Sequence, residues 1–285
     1  MTPRRDTLRV SAARAIPRVL SIAGSDSGGG AGIQADLRAF ARCGVYGMSA
    51  LTAVTAQNTR GVVAVHAVPA AIVRAQIEAV VGDIGVDGLK IGMLVSGETA
   101  KVVASCLRDL LPAHTPVVVD PVLAASTGGS LLSEDGIAVL IAEVFPRATV
   151  ITPNLPEART LVARATHSAY EGSDDGDLAR QLLALGPASV VITGGHRRGF
   201  GDLYCDAEQL VELGGERHES AATHGSGCTH SAVLAAELAR GALPLDAART
   251  AARYAAEAIR DGLASIGAGD GPVDVLGVGR PDGTF

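Results

Sequence analysis

The chain is 285 residues long, 47 % hydrophobic and 19 % charged, which gives enough apolar side chain for a large core and excludes a disordered chain. A net charge of −6, with no basic stripe, excludes the usual nucleic-acid binder. Aromatics are only 3 % and Trp is absent, so the core is expected from Ala, Val, Leu and Ile, which favours helices packed on a sheet over an aromatic-rich binding surface.

Residues 1–17 are Arg-rich and lack the apolar stretch of a secretory signal. They read as a flexible tail, or alternatively as a transit peptide. Residues 18–285 read as one domain. "RVLSIAG" (18–24) is expected to be a buried strand and 31–43 a helix, stopped by Gly44. Strand-like segments follow at 45–56 and 62–68, and Pro69 opens a helix over 69–82. The order continues with strand 88–94, helix 97–111, strand 116–121, helix 133–145, strand 149–152 and helices 155–164 and 178–185. "SVVITGG" (189–195) reads as another buried strand, and short strands are expected between 201 and 222. Ala-rich helices over 227–240 and 244–262 complete the pattern. Alternation of this kind, with continuous Val/Ile strands, predicts an α/β fold: a mainly parallel sheet covered on both faces, with right-handed crossovers. Ligands in such folds bind beyond the carboxyl ends of the strands.

No apolar run approaches the ~18 residues of a membrane span. Cys43, Cys106, Cys205 and Cys228 form no C-x-x-C pair. That argues against a zinc site or a disulfide framework and for reduced thiols in a cytosol.

The strand-end loops carry the chemistry. "GSDSGGGAGIQADL" (24–37) is neither a P-loop nor a good dinucleotide fingerprint; it reads equally as a tight turn or as a ligand loop. Within it, Asp26 suits a turn cap and Asp36 the first turns of a helix. Gln57 and Asn58 present amides that match the edge of a nitrogen heterocycle, or simply make a turn. Met93 reads as core or pocket wall. Asp120 ends a buried strand, where a carboxylate is costly unless it is paired or near a cation. Asn154 and Glu157 read either as a capping-box relative or as oxygen ligands that hold Mg2+ through water. "TGGH" supplies one more strand end, in which His196 reads as an ordinary loop histidine.

"HGSGC" (224–228) opens an almost wholly apolar helix. The amides of Gly225, Ser226, Gly227 and Cys228 are expected to point outward together as an anion nest, where a thiol's pKa is lowered. Three readings of Cys228 stand open: inert packing, a hydrolase nucleophile served by His224 or His230, or a base for phosphoryl transfer. Only the last also accounts for the other loops.

"GSDSGGGAGIQADL", "TAQNTRGV", "KIGML", "VVVDPV", "ITPNLPEA", "GGH" and "HGSGCTHSAVLAAELARG" occur in that order over roughly 19–262. The chain thereby resembles the bacterial hydroxymethylpyrimidine/phosphomethylpyrimidine kinases of thiamine biosynthesis, within the ribokinase superfamily. The resemblance implies a ribokinase-like three-layer α/β/α sandwich with a mainly parallel central sheet, usually dimeric, cytoplasmic and using ATP and Mg2+. It implies phosphorylation of 4-amino-5-hydroxymethyl-2-methylpyrimidine and then of its monophosphate. Gln57 matches the glutamine that binds the aminopyrimidine, and Gly24, Ala31, Asp36, Met93 and Val122 match pocket positions. Residues 225–228 match the anion hole, with Cys228 where many ribokinase relatives carry an aspartate base. Asn154 and Glu157 match the N-x-x-E element for Mg2+ and phosphate, Thr193 and Gly195 line the phosphate path, and Asp120 joins Glu157 as a metal candidate acting through water.

Two departures are visible. Many members carry Lys or Thr before Ser-Gly-Asp after "DPV", where this chain has Leu123, Ala124, Ala125, Ser126, Thr127, Gly128 and Gly129. Thr193 stands where some members have lysine. Both changes remove positive charge from the phosphate path, which bears on the second transfer. Residues 197–201 have the composition of a flap. Rival readings are a pyridoxal kinase, a non-catalytic pyrimidine sensor and a thiol hydrolase.

Overall fold

The computed structural model describes residues 16–124, 129–168, 170, 172, 174–194, 201–214 and 218–280. Most of the expected tail, residues 125–128 of the departing run, Gly195, His196 and residues 197–200 of the expected flap lie outside the described residues.

Nine described strands form one sheet in the order β3-β2-β1-β4-β5-β6-β7-β8-β9. They are β1 (Arg18–Asp26), β2 (Tyr46–Asn58), β3 (Gly61–Ala67), β4 (Gly88–Ile91), β5 (Val117–Val119), β6 (Val150–Ile151), β7 (Ser189–Ile192), β8 (Asp202–Asp206) and β9 (Leu210–Leu213). The six from β2 to β7 run parallel; β3 at one margin and β8 and β9 at the other are antiparallel. The helices are α1 (Gly32–Arg42), α2 (Ala70–Asp83), α3 (Gly97–Asp109), α4 (Glu134–Val139), α5 (Leu155–Thr166), α6 (Asp175–Leu183), α7 (Ser226–Ala239) and α8 (Pro244–Arg260).

Strand alternation sorts the core into two layers. Leu20, Ile22, Leu89, Ile91, Val117, Val119, Ile151, Val190 and Ile192 face α2 to α6. Val19, Val118, Val150, Val191 and Tyr204 face α1, α7 and α8. Side chains of successive strand residues point to opposite faces, so an unbroken apolar run is what a strand covered on both sides requires. The expected helix over 133–145 is only partly α-helical. After α4 the chain passes through a π turn (Leu140–Val144) and a 3-10 turn (Phe145–Arg147), and Pro146 cannot donate the backbone N–H that continued helix needs.

The strand order reverses between β1 and β4. The connection from β1 leads to β2 on one side, whereas β4 and its successors lie on the other. The loops after β1 and β4 therefore diverge and leave a crevice at the carboxyl edge.

Candidate active site

At the head of β1, Asp26 is 2 % exposed. Its Oδ1 accepts from the amide of Gly28 (2.7 Å), and its Oδ2 accepts from Gly30 (3.0 Å), Ala31 (2.9 Å) and His224 Nε2 (3.0 Å). Burial works to raise this carboxyl, but the bonds from His224, Ala31 and Gly28 outweigh it and hold it below the usual carboxylate range. The turn-cap reading of Asp26 thus describes its contacts, with a reach beyond the turn: it also binds the loop that opens α7.

Gly225 sits at that opening with φ 84°, and a Cβ there would lie 1.8 Å from the Gly30 carbonyl oxygen. Only glycine tolerates both the left-handed backbone and the close approach. The anion-nest expectation needs one correction. Ser226 N–H donates to Thr223 O at 3.1 Å, closing a turn. The amides of Gly225, Gly227 and Cys228 find no acceptor among the described residues and stay available at the positive end of α7.

Cys228 also departs from expectation. Burial pushes its thiol up to about 12; the charges of Asp120 and Asp36 add to this, while Lys90 and the Gly32 amide oppose it. Desolvation and the two carboxylates outweigh Lys90 and the Gly32 amide, which favours the thiol at neutral pH. Neither neighbouring histidine is poised to activate it. His224 is tied to Asp26. The His230 ring is 3 % exposed and stands 3.1 Å from Asp202 Oδ2 without hydrogen-bond alignment. The hydrolase reading therefore lacks its base.

Beneath this corner lies a buried ion pair. On β4, Lys90 shares a row with Ser21 on β1 and Val118 on β5, the row facing α1 and α7. Its Nζ donates to Asp36 at 2.9 and 3.0 Å, and Ser21 Oγ donates to the same carboxylate at 2.5 Å. Burial works to lower the Lys90 pKa, but Asp36, Cys228 and Asp120 outweigh it and raise it, so the ammonium stays charged. Asp36 itself is 0 % exposed. This corrects its reading as a pocket residue: its carboxylate is wholly buried and bonded to Lys90 and Ser21. Lys90 was legible only as a lone lysine between Leu89 and Ile91, and nothing local named its partner.

Past β5, Asp120 Oδ2 accepts from Ser231 Oγ on α7 (3.0 Å). At the start of α5 the capping-box reading is fully realised. Asn154 Oδ1 accepts from Glu157 N (2.9 Å) and Glu157 Oε2 from Asn154 N (3.0 Å). Glu157 Oε1 also accepts from Leu123 N (3.4 Å). Burial, reinforced by the charge of Asp120, pushes the Glu157 carboxyl up to about 8. Two carboxyl groups that repel in one half-buried crevice fit a hydrated Mg2+, which keeps most of its waters. They do not form an all-protein cage, because no group of three His, Cys, Asp or Glu suited to a metal occurs among the described residues. Thr193 N donates to Pro153 O (2.9 Å), bringing the end of β7 beside Asn154.

On the other side of the crevice, Gln57 is the penultimate residue of β2. Its Oε1 accepts from Thr55 Oγ1 (3.2 Å) and its backbone N–H donates to Ser27 Oγ (2.8 Å), which leaves the side-chain NH2 without a partner among the described residues. Gly24 faces Met93: an added Cβ would lie 2.3 Å from the Met93 methyl. Ala31 and Val122 are half-buried on the adjoining loops.

The family model described as phosphomethylpyrimidine kinase matches residues 26–274. The hydroxymethylpyrimidine/phosphomethylpyrimidine kinase of Rhizobium meliloti is 48 % identical over 261 residues, covering 89 % of this chain and 95 % of that one. A crystal structure of phosphomethylpyrimidine kinase from Clostridium difficile aligns with a TM-score of 0.73 at 38 % identity, covering 85 % of this chain and 99 % of that one. The pyridoxal kinase of Staphylococcus aureus in complex with ADP aligns with a TM-score of 0.83 at 33 % identity, covering 94 % and 96 %.

Proposed function

The chain belongs to the phosphomethylpyrimidine kinase family, and we propose that it moves phosphate from ATP to the hydroxymethyl oxygen of 4-amino-5-hydroxymethyl-2-methylpyrimidine, then phosphorylates the resulting monophosphate, in thiamine biosynthesis. The observation that carries this reading is the meeting, at one sheet edge, of three amides at the mouth of α7 with the Gln57 side-chain amide across the crevice, all four without a partner among the described residues.

The roles follow from the chemistry. Phosphoryl transfer is accelerated mainly by positioning and by stabilising charge on the transferring group. The amides of Gly225, Gly227 and Cys228, with the α7 dipole behind them, face that charge. Lys90 adds a fixed positive charge below. Gln57 donates to the pyrimidine edge, while Gly24, Ala31, Met93 and Val122 wall the ring. The Cys228 thiol serves as a proton relay: its sulfur takes the proton of the attacking hydroxyl as its own proton passes to an oxygen of the transferring phosphoryl group. Asp120 and Glu157 hold Mg2+ through water, and Asn154 and Thr193 border the phosphates; bound Mg2+ and ATP would supply the phosphoryl group and the neutralising charge. The comparison structure with ADP supports nucleotide use in this fold.

The cytoplasm is the proposed location, which suits the chain's four unpaired cysteines; no helix among the described residues is long and apolar enough to cross a membrane. A homodimer fits the exposed Tyr46, Val54, Val63 and Val65 on β2 and β3.

Pyridoxal is the competing substrate, favoured by the similarity to the Staphylococcus aureus enzyme. ATP turnover measured in parallel with the hydroxymethylpyrimidine, its monophosphate and pyridoxal decides. Turnover of both pyrimidines is expected, with kcat/KM at least about tenfold above that for pyridoxal, the scale of one well-made hydrogen bond to the ring edge. A preference for pyridoxal, or binding of pyrimidine without ATP consumption, contradicts the proposal.

A further inference from the structure

Two loops must be held in register for the reaction proposed above: the glycine loop over the pyrimidine and the α7 mouth over the phosphate. They are far apart in sequence, yet one contact spans them. His224 Nε2 donates to Asp26 Oδ2 at 3.0 Å, with the histidine side chain 13 % and the aspartate 3 % exposed. Asp26 gathers the amides of Gly28, Gly30 and Ala31, and His224 immediately precedes Gly225. The ring fills the space beside Gly30, where a Cβ would lie 2.3 Å from His224 Cδ2. From behind, the chain near the C-terminus pins the same loop. His224 N donates to Gly271 O (3.1 Å) and Val273 N to His224 O (3.1 Å); Thr223 N and Oγ1 each donate to Asp270 at 2.8 Å. That segment continues to the turn after Gln57, where Gly269 N donates to Thr59 Oγ1 at 3.2 Å.

Resting on the kinase reading, we infer that Asp26 and His224 form a clasp of positioning residues that sets the distance between the pyrimidine's hydroxymethyl oxygen and the phosphate-binding amides, with Asp270 as its rear anchor. Neither residue is needed to touch a substrate. The clasp keeps Gly225 against Gly30 and so holds the anion hole in line with the bound ring. Misplacing reacting groups by about 1 Å costs on the order of a hundredfold in rate while leaving substrate contacts in place.

The test is steady-state kinetics on the full chain with hydroxymethylpyrimidine, alongside pyrimidine binding and thermal unfolding. His224→Ala is expected to lower kcat about 30- to 100-fold with KM for the pyrimidine within about threefold. His224→Gln, whose amide nitrogen falls near the position of Nε2, should recover most of the rate. His224→Asn, whose amide falls near Nδ1, should not. Gly30→Ala, which pushes the ring aside, should reproduce the loss. Equal losses in Gln and Asn variants that remain folded, or an unchanged kcat in His224→Ala, overturn the clasp. Wild-type protein with no ATP-dependent turnover of the pyrimidine overturns the kinase reading instead.

Discussion

Cys228 shows how far one residue's surroundings can reverse a local rule. A helix N-terminus stabilises thiolate, yet burial together with Asp36 and Asp120 raises this thiol to about 12. Below that value the thiol form predominates. Alkylation of Cys228 by iodoacetamide, followed by peptide mapping, should therefore be slow at pH 8 and still rising beyond pH 10. A plateau near the ordinary thiol range, about 8.5, would contradict the environment described. Gly225 carries a backbone constraint. Gly225→Ala must put a Cβ 1.8 Å from the Gly30 oxygen at φ 84°, so a stability loss of at least about 1–3 kcal/mol is expected in denaturant unfolding, with activity lost alongside. A variant of wild-type stability would show that the two loops do not meet.

The elements were legible in proportion to how local their causes are. The three valines of β5, the Gly44 stop after α1 and the Asn154–Glu157 box of α5 are each written within a few residues, and each was readable from the sequence. The same box was read as a cap or a metal element, and the structure makes the cap while leaving the Glu157 carboxyl within reach of the Asp120 charge. What could not be read is long-range. Lys90 and Asp36 are 54 positions apart, and Asp26 and His224 are 198 apart; no periodicity records a pair made by strand order. The ion pair stitches β4 to α1. Lys90→Met should cost about 3–5 kcal/mol in unfolding, because it strands a buried carboxylate, and a Lys90→Met/Asp36→Leu double variant should recover part of it. If the double variant is less stable than the sum of the singles, the pair is not the cause. Glu157 gives a pH signature at the start of α5. Its folded value of about 8 lies above the ordinary 4.5, so the fold retains the proton longer than the unfolded chain. The stability this confers is present below 4.5 and is lost as pH rises through about 8. Glu157→Gln should thus raise Tm relative to wild type at pH 9 and not at pH 4; an equal effect at both would contradict the burial described.

At the scale of the whole molecule, the sheet order decides where chemistry can occur. The reversal between β1 and β4 opens the crevice, and every strand from β1 to β7 except β3 ends near it. The loops that read as motifs in isolation are thereby gathered at one edge. Helix α7 crosses the face shared by β1, β4 and β5, so its mouth arrives above Lys90 and opposite Gln57. Under the proposed function the decisive work falls to that mouth, where the free amides would hold the transferring phosphoryl group and Cys228 would handle the proton. The most direct measurement is kcat of Cys228→Ala with hydroxymethylpyrimidine and ATP, paired with calorimetric binding of the pyrimidine. A fall of at least about a hundredfold in kcat, with pyrimidine affinity within about threefold, is expected. A variant that turns over near the wild-type rate would remove Cys228 from the reaction and, with it, the assignment of the α7 mouth as the place where phosphate is transferred.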